Sequence, residues 1–170
     1  MGKFEKDDIL AKLMAAEADF YAPSKRDETP SSRACDHWAR PVLLERAAYL
    51  RKLARFSEAS AVDTLCESDS NRIQLSVLLR SGPPVLCEDS AVILVVVEGR
   101  ATLATGGTLL GAKRAARGEV TGKAIEGGSS RELRSGDVAH VAAGTPHQIL
   151  LAGEAGVTCL VLKINESPSL

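Results

Sequence analysis

The feature that most limits what this chain can become is a change of hydrophobic period near residue 72. From there on, RIQLSVLL, VILVVV, RATLAT, DVAHV, HQILL and VTCLVLKI read as short strands rich in β-branched residues. Every glycine except Gly2 lies between residues 82 and 156, in the breaks between these runs. Glycine supplies the positive φ that tight turns need, so the pattern is strand, turn, strand. Without long helices between them, such strands build an antiparallel sandwich or barrel and not a parallel α/β sheet. Residues Val92 to Val97 are apolar at every position, which requires cover on both faces of the strand. That cover would come from the barrel interior on one side and a helix or a second subunit on the other, so a homodimer is expected.

Upstream the period is helical. Ile9, Leu10, Leu13, Met14 and Phe20 recur near 3.6 behind Asp7 and Asp8, which suit a helix start. Residues 22–36 then collect Pro23, Ser24, Asp27, Thr29, Pro30, Ser31 and Ser32, a loop composition. Pro41 suits the first turn of a second helix running to about Phe56, with Leu43, Leu44, Ala47, Leu50, Leu53 and Ala54 as its apolar stripe. Its basic residues, Arg46, Arg51, Lys52 and Arg55, read as a solvated face or local ion pairs. The expected organisation is a helical extension over residues 1–70 packed on a barrel over 71–165, with a short tail at 166–170.

Charge and composition exclude several classes of function. With 21 Lys+Arg against 22 Asp+Glu there is no global field to attract a polyanion, so nucleic acid is not an expected partner. The seven-residue run Ala91 to Val97 is the longest apolar stretch, far short of the roughly 20 residues that span a bilayer as a helix. The opening MGKFEKDD is charged where a signal peptide is apolar, so a cytoplasmic location is expected. Cys35, Cys66, Cys87 and Cys159 are widely spaced and form no CxxC pair, which argues for reduced thiols over a zinc or redox motif.

Two segments carry a family resemblance. VVVEGRATLATGG, residues 95–107, resembles the end of the first cupin motif, and GDVAHVAAGTPHQ, residues 136–148, resembles the second. The likeness covers roughly residues 70–164 and is to small single-domain cupins of the RmlC-like type. It implies a mainly β fold, the double-stranded antiparallel β-barrel (cupin or jelly roll), here with an N-terminal helical extension. In metal-binding cupins the first motif supplies two histidines and a carboxylate and the second a further histidine. Counting back from Glu98 and Gly99, those first three places fall on Val85, Cys87 and Val92, and only His147 of the second motif is kept.

One histidine does not hold a transition metal, since such sites ordinarily take three or more protein ligands. His147 and Cys87 are the only candidates for a divalent ion, and no cofactor is expected. If residues 87–89 stay extended, Glu88 points away from Cys87 and Asp89 shares its side. The expected ligand pocket therefore gathers His147, Cys87, His140 and Asp89, and the expected partner is a small organic molecule. A metal-dependent or metal-free cupin enzyme using His147 is the alternative. Between Gly99 and Gly136 runs a long connection in which, over residues 111–123, Lys113, Arg114, Arg117 and Lys123 outnumber the single Glu119, which would suit an anion if it folds over the barrel mouth. The part from Gly111 to Gly128 is expected to be the most mobile internal segment.

Overall fold

In the computed structural model, residues 36–57 and 59–166 are described. The described residues from Trp38 onward form one compact unit. The helix expected around Ile9 to Phe20 and most of the loop after it lie outside the described residues. Among the described residues no helix is long and apolar enough to cross a membrane.

The helical pattern behind Pro41 gives α1, Arg40–Ala54, with the proline in its first turn and no side-chain cap at Ala39. Leu43, Ala47, Leu50 and Ala54, spaced by four, three and four residues, form the buried stripe. Leu44 and Leu53, also assigned to the stripe, are only half-buried. The buried residues pack on Leu75 and Val77 of the sheet, with Trp38, Val97 and Leu160 alongside. Burying each leucine stabilises the contact by about 1.5–3 kcal/mol. Arg51 fixes the helix in azimuth: its guanidinium donates to the carbonyl of Ala155 (3.1 Å), to Glu98 Oε2 (3.0 Å) and to the buried Thr158 hydroxyl (3.2 Å). Arg46 pairs with Asp63 at 2.9 Å. Arg46 and Arg51 thus pair with carboxylates of the sheet, contacts made by the tertiary fold and not local along the helix.

Among the described residues twelve strands follow: β1 (Ser60–Glu67), β2 (Asn71–Leu78), β3 (Val85–Cys87), β4 (Ser90–Thr105), β5 (Thr108–Leu110), β6 (Lys113–Ala116), β7 (Glu119–Thr121), β8 (Ala124–Glu126), β9 (Ser129–Arg134), β10 (Val138–Val141), β11 (His147–Leu150) and β12 (Val157–Asn165). All pairings are antiparallel, and the main sheet runs β1, β2, β12, β4, β11, β3, β7, β6, with β9 and β10 also on β4. The sheet curls into a half-barrel, and β4 is its spine. The N-terminal half of β4 pairs with β12 and β10, and its C-terminal half with β11 and β9. The passage from one wall to the other happens at Gly99, whose φ is +92° and where a Cβ would stand 2.7 Å from the carbonyl of Gly156. No other residue fits there without moving backbone.

Alternation along β4 answers the requirement for cover on both faces. Val92, Leu94 and Val96 enter the barrel core with Leu103, Val141 and Val157, while Val97 lies under the α1 cluster and Ile93 and Val95 are half-buried. The helix therefore covers one end of the outer face.

Two boundaries differ from the sequence reading. The sheet begins at Ser60, inside the stretch assigned to the helical extension; β1 mixes polar and apolar residues on both faces and is an edge strand, so its period is weak. The long connection is not a bare loop. It folds into β5 to β8, with β5 paired to β8 and the β6–β7 hairpin added to β3.

Candidate functional site

β3 is only three residues long, yet it sets the geometry of the site. Val85 is in register with His147 on β11 and with Thr121 on β7, and Cys87 is in register with Glu119 on β7. Register partners share a face, so Val85, Cys87, His147 and Glu119 all belong to the inner side of this wall. On the opposite wall Lys163 of β12 stands in register with the buried Val92 of β4. The Lys163 ammonium crosses the interior and donates to Glu119 Oε2. One ion pair thus bridges the two walls.

A cavity of about 600 Å³ opens above this pair. Cys87, Glu119 and Lys163 lie among its lining with Asp89, Arg72 and Arg117. Its size suits a small organic molecule. Arg72 is engaged by Glu67 through Nε at 2.8 Å. Glu88 faces away and takes both terminal nitrogens of Arg114 at 2.9 and 3.1 Å, while Asp89 joins Cys87 at the cavity; the strand ends at Cys87, so a bend at 88–89, and not strand alternation, places Asp89 there. Of Lys113, Arg114, Arg117 and Lys123, only Arg117 lines the cavity.

The two histidines separate. His147 is half-buried and its Nδ1 lies 3.2 Å from the carbonyl of Thr145. A carbonyl only accepts, so in the neutral ring Nδ1 carries the proton and Nε2 keeps its lone pair. Burial holds its pKa below the ordinary histidine value, only partly offset by that hydrogen bond. It does not line the cavity. His140 corrects the sequence reading: it is exposed beside Ile93, because Ala139 and Val141 on either side of it turn inward. It therefore belongs to the outer face and not to the pocket. Cys87 is 3% exposed. Burial pushes its thiol pKa up, and nearby Lys163 counters this while Glu119 adds to it. Burial alone pushes Cys159 up to about 12. Neither is poised as a thiolate.

Glu119 and Lys163 were not among the residues singled out from sequence as a pocket. Glu119 was visible only as the single acid among the basic residues of 111–123, and Lys163 as the one charge in VTCLVLKI, a charge inside an apolar strand being the signal that was available.

No family model matches the sequence, and neither does any curated protein. The structure of TT1209 from Thermus thermophilus is similar, with a TM-score of 0.52 at 18% identity over 73% of this chain and 95% of that one. Matches also include the cupin domain of Schizosaccharomyces pombe Cnp3 (TM-score 0.48, 10% identity, 63% of this chain and 61% of that one) and a Cupin 2 conserved barrel domain protein from Salinispora arenicola CNS-205 (0.44, 15%, 62% and 76%). This chain spans 61% of the Cnp3 structure's length.

The chain has a cupin fold. At these identities the likeness concerns the fold alone, and the site must be judged by its own residues. A cupin metal would need donors at the places of Val85, Cys87 and Val92 besides His147. Two of these places are aliphatic, and Cys87 is a buried thiol with a raised pKa. Among the described residues no three His, Cys, Asp or Glu side chains are grouped to hold an ion. Opposite Val92, moreover, stands the Lys163 cation. These residues do not fit a cupin metal.

Proposed function

We propose that this cupin binds a small organic molecule in the open end of its barrel without a metal ion. The observation that carries the reading is the Glu119–Lys163 pair, which brings a carboxylate and an ammonium together in a cavity of about 600 Å³. Where a metal-binding cupin would place a cation, this barrel holds an internal ammonium paired with a carboxylate. The lining is rich in charged and hydrogen-bonding side chains, which favours a polar ligand over a hydrocarbon. Because His147 is tied to Thr145 and lies off the cavity, an enzyme built on His147 has less support than binding at the pair.

The protein also reads as a cytoplasmic homodimer. Three of its cysteines, Cys66, Cys87 and Cys159, are free. On the outer sheet face beyond α1, Val138 is 65% and Ile164 40% exposed next to half-buried Ile93 and Leu162, and a second copy would cover them.

The decisive experiment is elemental analysis of protein purified without chelator, together with native mass spectrometry for a retained small molecule. The expectation is no stoichiometric transition metal. One tightly held metal per chain, released by His147→Ala, would overturn the proposal and move the function to metal-dependent catalysis.

A further inference from the structure

The bond between Glu119 and Lys163 leaves both groups with spare capacity. An ammonium has three donors and a carboxylate two oxygens, and their mutual bond uses one of each. The pair is partly buried, with 30% and 24% of the two side chains exposed, and Cys87 lies beside it under the same cavity. It has no net charge. Around the cavity, Arg72, Arg117 and Lys163 face five carboxylates, so the local field disfavours an anion. The anionic ligand suggested by the basic connection is therefore the less suitable occupant, since Arg114 is spent on Glu88. A neutral molecule that accepts a hydrogen bond from Lys163 at one atom and offers a proton to Glu119 at the next fits the pair as it stands.

Resting on the reading of the barrel as a metal-free binding site, we propose that Glu119 and Lys163 form a proton-transfer pair for a small neutral enolisable carbonyl compound. Lys163 donates an N–H to the carbonyl oxygen, and Glu119 takes the proton from the adjacent carbon. The C–H electron pair becomes the C=C bond of the enolate, and the carbonyl π pair moves to the oxygen that Lys163 holds. Return of the proton from Glu119, or of one exchanged with solvent, regenerates a carbonyl compound. The step needs no oxidant or reductant. Preorganised positive charge at the developing oxyanion and a carboxylate within reach of the C–H are the two requirements of such chemistry, and the two walls of the barrel supply one each.

The test uses hydroxyacetone in deuterated buffer containing EDTA, with loss of its methylene proton signal followed by NMR. The full chain is expected to exchange these protons faster than buffer alone. Glu119→Gln and Lys163→Met should each reduce the enhancement about 100-fold, Glu119→Asp should recover part of it, and His140→Ala on the outer face should leave it unchanged. Thermal melts confirm that each variant is folded. Saturation-transfer NMR on the same samples separates the two levels. Binding of hydroxyacetone without enhanced exchange overturns the proton-transfer pair and leaves the binding site standing. Exchange that survives Glu119→Gln in folded protein overturns it too, by placing the base elsewhere.

Discussion

The bridge between Glu119 and Lys163 can be measured independently of any ligand. With 30% and 24% of the side chains exposed, the pair lies between two regimes. Fully exposed pairs contribute about 0.2–1 kcal/mol, whereas breaking a buried pair by removing one partner costs about 3–5 kcal/mol. Solvent reaches this pair through the cavity and screens part of the attraction. Lys163→Met, which leaves Glu119 facing further carboxylates, and Glu119→Gln are each expected to cost about 1–3 kcal/mol, intermediate between those limits. The double variant should cost less than the sum of the singles, with a coupling of about 1–2 kcal/mol. Urea unfolding reads this directly: with a slope of about 1–3 kcal/mol per molar, each single change moves the midpoint by roughly 1 M. Coupling below about 0.3 kcal/mol, the level of independent sites, would refute the reasoning, because a pair that ties the two walls together cannot be additive.

Leu75→Ala should destabilise the fold by about 2–5 kcal/mol, since Leu75 is fully buried where the sheet receives α1; Phe56→Ala, at a side chain 69% exposed, should stay within about 0.5 kcal/mol, and equal midpoints in thermal melts would contradict the seating of the helix. The native state resists the proton that the unfolded chain accepts at His147, so stability should fall as pH drops below the ordinary histidine value of 6.5. His147→Gln should flatten that slope, and an unchanged slope between about pH 7.5 and about pH 5.5 would assign it to other groups. Light scattering at micromolar concentration should give the mass of two chains, and Val138→Lys should shift it towards one.

Much of the architecture is written locally. Strand alternation broken by glycines, the doubly apolar β4, the Pro41 start of α1 and the GDVAHVAAGTPHQ turn each depend on residues close in sequence, so their periods and turn chemistry predict them. The aliphatic residues at the places of Val85 and Val92 are likewise legible from the chain alone. β1 escaped because it mixes polar and apolar residues on both faces, and the strands of the long connection because three or four residues are too few to show a period.

The site itself was decided in three dimensions. Asp89 reaches the cavity through the bend after Cys87 and not by strand counting, and whether His140 looks in or out depends on which face of β10 meets the core, where a one-residue change of register would reverse it. Glu119 and Lys163 are 44 residues apart, on strands that are not neighbours in the sheet. Nothing local to either residue signals the other. Their meeting follows from the curl of the sheet, which turns the inner faces of β7 and β12 towards each other across the cavity, and only that closure makes a connecting segment's glutamate and a strand's lysine into one site.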